Sequence, residues 1–232
     1  MDNMTQDYLT LPLLNRPGFF HFFGKKGLSE ADAKTLNKDG SFVRSCQIHG
    51  DDIIPISDVE ATEKPTGDCL MTNRPGLLIS IFTADCLPVI LIDPEHRATA
   101  IVHAGWRGSL LRIVEKTVAA MTKKYDTDPQ SLLVGMGHRI GPCCFEVGPD
   151  VLEPIEKEKS YQGVVTKKMG EKGWIDLYQI NRVQLKAADV LSNHIAALDV
   201  CTACHPETFH SYRRDHVKGQ NMVSGVLIQH EQ

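Results

Sequence analysis

Residues 77–107 read LLISIFTADCLPVILIDPEHRATAIVHAGWR, and this stretch decides the fold class. It contains three short apolar runs, at 77–82, 89–92 and 98–102, which are partly β-branched and are flanked by Asp, Pro or Gly. Runs of this length and composition favour buried strands over helices. The stretch therefore predicts the centre of a largely buried sheet.

Helical periodicity appears on the C-terminal side of this centre. Apolar residues recur at helical spacing over 109–125, with Ser109 as the expected cap, and over 176–194, with Asp176 as the cap. We also expect a short helix at 149–157 and strands at 43–49, 132–137, 197–200, 209–213 and 222–228. Because strands and helices are mixed without strict alternation, we predict an α+β (mixed α/β) fold. The expected architecture is one layered domain over residues 1–232, with mixed buried sheets covered by helices.

Composition excludes several classes of protein. The 232 residues are 42% hydrophobic and 23% charged, which excludes a disordered chain, a fibre and a coiled coil. The formal net charge of −4 lacks the basic excess of a dedicated nucleic-acid binder. No segment has the pattern of a signal peptide, and the most apolar stretch is too short and too polar to span a bilayer. The seven cysteines, an odd number, predict reduced thiols in a cytoplasmic protein.

Potential metal ligands lie at or just after three predicted strands. They are His49, Cys86 and His103. Two imidazoles and one thiolate suit Zn²⁺ with a fourth position left for water, and zinc would lower the pKa of that water to roughly 7. Asp85 could orient a ligand or carry a proton. The spacing matches no short metal motif, so ordinary packing of each residue is the alternative.

Basic residues follow two of the predicted strands. Gly105 and Gly108 permit a tight turn before a helix, where Arg107 could add charge-assisted hydrogen bonds to phosphate or carboxylate. A solvated arginine in an ordinary turn is the alternative reading. Arg213 and Arg214 belong either to a polar strand end or to an anion-binding edge.

Two further segments carry cysteines. Burial is the favoured role for Cys143 and Cys144, with a reactive thiol as the alternative. The Cys201-x-x-Cys204-His205 spacing is that of c-type haem attachment, but haem attachment normally accompanies export. A zinc knuckle at this segment would need another ligand pair close by.

Taken together, seven blocks of sequence resemble the laccase-domain family, also called multicopper polyphenol oxidase or YfiH-like proteins. This family includes purine nucleoside phosphorylases and a peptidoglycan editing factor. The blocks occur in the family's order, which is far more specific than any one of them. They are residues 47–50, 83–89, 102–108, 140–148, 176–179, 201–202 and 211–215.

The resemblance implies a layered α/β/α-type fold with mixed sheets and a His, Cys and His metal site. These ligands fall on His49, Cys86 and His103, and the implied metal is Zn²⁺, with copper as the alternative. The implied activity is phosphorolysis of adenosine, inosine and methylthioadenosine to the free base and the corresponding ribose 1-phosphate, with deamination of adenosine. The implied partners are purine nucleosides and phosphate, with neither nucleic acid nor membrane.

These reactions require a proton carrier and cations that hold phosphate. Cys86 and His103 are expected to be catalytic as well as metal-ligating, and Asp85 is the expected proton carrier. Arg107, Arg213 and Arg214 are the candidates for binding phosphate.

The chain departs from the family near its N-terminus. Many members carry an arginine where this chain has Gly24, and only Lys25 or Lys26 is available as a substitute. Lysine does not reproduce a planar bidentate contact.

Three other functions stay open on the sequence. They are a copper oxidase of phenols, a hydrolase of cell-wall (peptidoglycan) precursors with Cys86 as nucleophile, and a non-catalytic interaction protein stabilised by metal.

Overall fold

The chain forms a mixed α/β structure in a computed structural model that describes residues 7–38, 41–57 and 64–230. Within these residues there are fourteen strands and six α-helices. The strands are β1 (Tyr8–Leu9), β2 (Phe19–Gly24), β3 (Ser41–Arg44), β4 (Ile53–Pro55), β5 (Cys69–Thr72), β6 (Leu77–Thr83), β7 (Leu87–Asp93), β8 (Ala98–Ala104), β9 (Leu133–Met136), β10 (Glu146–Val147), β11 (Val165–Met169), β12 (Lys172–Ile175), β13 (Ile195–Ala197) and β14 (Met222–Ile228). The helices are α1 (Glu30–Thr35), α2 (Trp106–Leu110), α3 (Ile113–Tyr125), α4 (Pro149–Lys157), α5 (Leu177–Ala187) and α6 (Tyr212–Asp215).

The strands build three sheets. A five-stranded sheet has the order β1-β2-β14-β6-β3, and a six-stranded sheet has the order β13-β9-β7-β8-β5-β4. Both are mixed, because β3 pairs with β6, β4 with β5 and β13 with β9 in parallel, while the other pairs are antiparallel. A small antiparallel sheet, β10-β12-β11, carries α4 beside it.

Hydrophobic clusters cover both faces of the six-stranded sheet. One cluster joins it to the five-stranded sheet, with Ile90 and Ile101 on one side and Ile79 on the other. A second cluster lies on the opposite face, where Val89 of β7 packs with Val118 of α3. Because β7 has a hydrophobic layer on each face, it reads as a continuous apolar run rather than an alternating one. The predicted fold class, with mixed buried sheets covered by helices, is confirmed.

The structure corrects the helix predicted at 109–125. The chain there forms two helices, α2 and α3, which are separated at Arg112, whose φ is +63°. Gly105, not Ser109, precedes α2. Ser109 is buried inside α2, and its hydroxyl and carbonyl accept hydrogen bonds from Asn181 and Gln184 of α5. Apolar spacing does not reveal this break, although the helices on its two sides pack into different hydrophobic clusters. Leu110 of α2 packs with residues of α4, whereas Val114 of α3 packs with residues of β7 and β8.

Asp176 caps α5 as predicted, since its carboxylate accepts the backbone N–H of Tyr178 at 2.9 Å. The helix, however, ends at Ala187 instead of continuing to residue 194, and Asp189 follows with φ +64°. The end of the predicted helical segment forms a separate 3₁₀ turn at Ser192–His194.

Three predicted strands need correction. The strand predicted at 209–213 is wrong, because the chain forms α6 there with Ser211 as its cap. β13 ends before most of the predicted 197–200 segment, and β3 ends at Arg44 instead of residue 49. The predictions at 132–137, 149–157 and 222–228 are confirmed by β9, α4 and β14.

None of the helices in the described part of the chain is long and apolar enough to cross a membrane. That one domain covers residues 1–232 stays a prediction, since residues 1–6, 39–40, 58–63 and 231–232 lie outside the described ones.

Two buried histidines predict acid sensitivity of the fold. His21 accepts the backbone N–H of Leu11 at 2.9 Å, and His138 stacks on Phe209 with a ring-centroid distance of 4.6 Å. Burial lowers the pKa of His21 to about 4 and that of His138 to about 3. In the unfolded chain the two imidazoles become protonated near pH 6.5, whereas in the folded chain they become protonated only near their lowered pKa values. Stability is therefore lost as the pH falls from 6.5 towards 4, by about 1 kcal/mol per pH unit for each histidine.

Urea denaturation between pH 7.5 and pH 4.5 measures this loss. We expect the free energy of unfolding to decrease as the pH is lowered from 6.5. His138→Phe should remove about half of the pH dependence of this free energy that the two histidines produce. An unchanged slope in the variant would contradict the assignment to His138.

Candidate metal centre

Three distant segments bring His49, Cys86 and His103 together. His49 lies between β3 and β4, Cys86 lies in the turn that leads from β6 to β7, and His103 lies in β8. Their potential ligand atoms are all within 4.8 Å of one another. The two imidazole rings meet edge to face, with centroids 4.8 Å apart. The structure thus brings together the residues selected from the sequence, and we call them the His-Cys-His centre.

Asp68, at the start of β5, organises two of these ligands. Its Oδ1 accepts from the backbone N–H of His49 at 3.0 Å and is 2.7 Å from Nδ1 of His103. Its Oδ2 accepts the backbone N–H groups of Ile48 at 3.1 Å and Gly50 at 2.8 Å. The carboxylate is fully buried. It leaves Nε2 of His103 available to a metal, which is the usual role of a carboxylate behind a ligating histidine.

The electrostatics of the centre favour a thiolate. Burial by itself would raise the pKa of Cys86, but the charge of His103 and hydrogen bonds from His103 and His49 lower it to about 6. Burial would likewise lower the pKa of His103, but the Cys86 thiolate and Asp68 raise it to about 9. A thiolate is the form of cysteine that ligates metal or attacks an electrophile.

The donor set fits a divalent metal ion. Two imidazoles and one thiolate match the three protein ligands of a catalytic zinc site. Gly105 supports this fit, because a Cβ added there would lie 3.0 Å from Cys86 Sγ and 3.5 Å from His49 Cδ2. The centre therefore depends on a residue without a side chain at this position.

Gly105→Ala is expected to weaken metal binding by about 10–100-fold, because the new methyl group displaces the Cys86 sulfur. The backbone itself tolerates alanine, since Gly105 has φ −71°. Equilibrium dialysis with zinc measures the affinity.

Gly148→Ala is the matched control, because Gly148 also precedes a helix with an extended backbone, at φ −92°. A Cβ there would meet no ligand of the centre. Equal zinc affinity in the two variants would contradict the prediction.

A cavity of about 940 Å³ opens beside the centre. This volume is in the range of small-molecule sites. Cationic side chains on its wall are Arg44, Arg107, Arg213 and Lys218, and aromatic ones include Phe82, Trp106, Phe145 and Tyr212. All three residues of the centre and Asp85 also line it. The cavity therefore offers a metal centre, positive charge and planar apolar surface to one ligand.

The contacts of Asp85 connect it to the cavity wall. The residue has φ +85° and is 8% exposed. Its carboxylate accepts from the Thr202 hydroxyl at 2.5 Å and from the backbone N–H of Arg213 at 2.7 Å. Both oxygens thus position neighbouring segments, while the role of Asp85 as proton carrier stays a prediction.

The two C-terminal arginines have different surroundings. Arg213 donates to the carbonyls of Cys144 at 3.2 Å and Glu146 at 2.9 Å and lies over the Phe145 ring, at the cavity. Arg214 instead donates to backbone carbonyls, including that of Thr202, and pairs with Asp215. The structure does not bring Arg214 to the cavity wall, because these contacts hold its guanidinium elsewhere.

The basic residues near the N-terminus also differ from expectation. Neither Lys25 nor Lys26 lines the cavity, and Lys26 donates instead to the carbonyl of Pro206 at 2.7 Å. Arg44 is the basic residue from the N-terminal part of the described chain that lines the cavity, and its Nε lies 3.2 Å from a carboxylate oxygen of Glu30. Sequence reasoning missed Arg44 and Asp68. The only signal for Asp68 was an acidic residue directly before an apolar strand.

Comparison with known proteins identifies the family. A sequence profile described as multi-copper polyphenol oxidoreductase laccase matches residues 28–229. The chain belongs to this laccase family. Its metal is not determined by the name, because the His-Cys-His centre fits zinc as well as copper.

Curated relatives in the family are named as purine nucleoside phosphorylases. One from Bacteroides thetaiotaomicron is 35% identical over 182 residues, which are 77% of this chain and 67% of the relative. Another, purine nucleoside phosphorylase YfiH of Escherichia coli, is 34% identical over 78% of this chain and 72% of its own length. The chain is thus similar to enzymes with this name.

Solved structures show the same fold. YlmD from Geobacillus stearothermophilus superposes with a TM-score of 0.88 at 23% identity, over 99% of this chain and 98% of that one. A Bacillus licheniformis hypothetical protein, YfiH, gives 0.85 at 23% identity, over 97% of this chain and 100% of that one.

Proposed function

We propose that this chain is a metal-dependent purine nucleoside phosphorylase that uses the His-Cys-His centre and the cavity beside it. The observation that carries the proposal is the presence of His49, Cys86 and His103 in one cavity wall with Arg107 and Arg213. The names of the relatives support the choice of substrate class. An enzyme that cleaves a nucleoside with phosphate needs cations, a planar recognition surface and a polar reacting centre, and this cavity has all three.

We assign the metal to His49, Cys86 and His103, and we propose Zn²⁺ as the ion. When bound, zinc supplies a Lewis acid and lowers the pKa of a coordinated water. Asp68 holds His103 through Nδ1, and Gly105 leaves room for the Cys86 sulfur. These two residues are positioning residues.

Arg107 and Arg213 are proposed to hold phosphate beneath the ribose. The glycosidic bond breaks with its electron pair leaving on the purine, a phosphate oxygen bonds to C1′ of the sugar, and the purine takes up a proton. Adenosine plus phosphate thus becomes adenine plus ribose 1-phosphate. The guanidinium groups orient the phosphate and stabilise charge as the sugar becomes oxocarbenium-like. Among the described residues, no ion pair with a carboxylate occupies the Arg107 guanidinium, which lies 4.4 Å from the centre of the Trp106 ring.

The purine is proposed to stack on aromatic side chains of the wall. Phe145 is 7% exposed and is held by the Arg213 guanidinium, whereas Tyr212 is 47% exposed. This surface accepts any purine, which is consistent with adenosine, inosine and methylthioadenosine as substrates. We further propose that the same centre deaminates adenosine to inosine, with Asp85 as the proton carrier.

The test is product analysis of the zinc-loaded protein with adenosine. We expect adenine and ribose 1-phosphate to appear only when phosphate is present, and inosine to appear with or without it. Absence of base release at saturating phosphate would reject phosphorolysis. Absence of inosine would reject only deamination.

Arg107→Ala is expected to raise the KM for phosphate by about 10–100-fold, because a charge-assisted hydrogen bond contributes about 1.5–3 kcal/mol. Arg107→Lys should recover only part of this, since lysine provides a point charge without the planar fork. Steady-state kinetics at varied phosphate measures the effect.

Arg74→Ala is the control for loss of one positive charge, because Arg74 is exposed and lies outside the cavity wall. An equal rise in the KM for phosphate in this control would contradict the assignment to Arg107.

One observation favours a second candidate function. Cys86, His103 and Asp68 form a chain of hydrogen bonds like a nucleophile, its base and the group that orients the base. A hydrolase that uses Cys86 as nucleophile would need no metal. Labelling of Cys86 by iodoacetamide, together with hydrolytic activity that survives chelation, would favour it over the phosphorylase.

A further inference from the structure

Four cysteines outside the His-Cys-His centre also come together. They are Cys143, Cys144, Cys201 and Cys204, and their sulfur atoms all lie within 4.8 Å of one another. We propose that this cysteine cluster is a second metal site, which binds Zn²⁺ through four thiolates. The sequence favoured burial of Cys143 and Cys144, which is wrong for Cys143, since it is exposed, and Cys144 is only half-buried.

The sulfur separations match a tetrahedral metal site. Cys204 Sγ lies 3.6 Å from Cys143 Sγ and 3.4 Å from Cys144 Sγ. Four sulfurs around zinc, each about 2.3 Å from the ion, are about 3.8 Å apart. Disulfide-bonded sulfurs are only about 2.0 Å apart. The cluster thus has the dimensions of a four-thiolate site and not of a bridged pair.

A backbone amide is already directed at one of these sulfurs. The N–H of Gly141 donates to Cys201 Sγ at 3.2 Å. Bonds from backbone N–H groups support a negative charge on sulfur. Such contacts do for a thiolate ligand what Asp68 does for His103.

The structure also supplies the second pair of ligands that a zinc knuckle requires and that the sequence alone did not show. A zinc knuckle at Cys201 and Cys204 needs another ligand pair close by. Cys143 and Cys144 provide that pair, although they lie 57 or more residues away along the chain. The loop with Cys143 and Cys144 follows β9, and the loop with Cys201 and Cys204 follows β13. Because β9 and β13 pair in parallel, the two loops leave the sheet at the same edge. A bridge between Arg139 and Cys201 continues this pairing up to the cluster. Haem attachment is disfavoured, because both thiols of the Cys-x-x-Cys pair face the other two sulfurs.

The site would join the loop that carries Phe145 of the cavity wall to the segment that carries Thr202. The carbonyl of Cys144 accepts from Arg213, and Thr202, which follows Cys201, donates to Asp85. Zinc in the cysteine cluster would therefore stabilise the segments that carry these contacts. This role is structural, and it does not depend on the reaction that the cavity performs.

Metal analysis of the full chain tests the proposal. After dialysis against zinc and then metal-free buffer, we expect about two zinc ions per chain, one in each site. The double variant Cys143→Ser, Cys204→Ser should retain about one, in the His-Cys-His centre. Cys46→Ser, a change of an exposed cysteine outside both sites, should leave the zinc content at the wild-type value.

A second measurement uses the wild-type chain and so does not depend on the folding of a variant. Peptide mass spectrometry after brief alkylation should show the four cysteines protected by zinc and modified after chelation. With Co²⁺ in place of zinc, the sulfur-to-metal charge-transfer absorption should be far stronger than that of the double variant, which retains the single thiolate of Cys86.

Two results would overturn the proposal. One is equal zinc content in the wild-type chain and the double variant, with alkylation of the four cysteines in the wild-type chain that is the same before and after chelation. The other is a disulfide between Cys204 and Cys143 or Cys144 in the purified, unreduced protein, which would make the cluster a redox pair instead of a metal site.

Discussion

His103→Ala is expected to lower the rate of phosphorolysis by about 10³-fold or more and to remove zinc from the His-Cys-His centre. The change deletes one of two imidazole ligands and leaves the buried Asp68 carboxylate without its partner at 2.7 Å. Loss of a metal that stabilises charge removes several kcal/mol of transition-state stabilisation, and each 1.4 kcal/mol is a factor of ten in rate. Initial rates and zinc content of the purified variant check both parts.

His96→Ala is the matched control for this prediction. His96 also places Nδ1 near a buried carboxylate, 3.0 Å from Asp93, but it lies outside the His-Cys-His centre. It should keep both zinc and activity. Circular dichroism must show that the His103 variant is folded, and full activity in that folded variant would refute the assignment of the centre.

Asp68→Asn is expected to have two separable effects. The carboxylate offers two acceptor oxygens to four N–H donors, from Ile48, His49, Gly50 and His103. An amide offers one oxygen and turns an NH₂ group towards donors. We expect the free energy of unfolding to fall by about 2–3 kcal/mol, and zinc affinity to fall by about 10–100-fold because the imidazole is no longer oriented.

Chemical denaturation measures the first effect of Asp68→Asn, and zinc titration below the unfolding transition measures the second. Excess zinc should restore part of the activity under conditions where the variant is already folded without zinc, so that the recovery reports binding and not refolding. Asp51→Asn is the control, because Asp51 makes an exposed ion pair with Lys116 and such pairs contribute little to stability. The role given to Asp68 fails if its variant binds zinc as tightly as this control does.

The apolar stretch at 77–102 was predictable because its strands are buried on both faces. β6, β7 and β8 are almost wholly buried, so hydrophobicity alone reported their position. The break between α2 and α3 was not predictable, because it depends on the backbone of Arg112 and not on apolar spacing. α6 was mistaken for a strand because four residues are too few to show a helical period.

The chemistry of the site was partly predictable. His49, Cys86 and His103 were selected because their side chains are metal ligands near strand ends, and the family resemblance pointed to the same residues. Asp68 and Arg44 carried no comparable signal. A lone carboxylate or guanidinium becomes informative only when the group it contacts is known.

The amino-acid sequence by itself determined which segments are buried strands, which side chains can ligate a metal, and to which family the chain belongs. Only the tertiary structure decided which of those side chains meet. The His-Cys-His centre and the cysteine cluster both join segments that are far apart along the chain, and the pairing of β7 with β8 and of β9 with β13 brings these segments together. Strand pairing of this kind depends on contacts between residues distant in sequence, which local composition and periodicity do not encode.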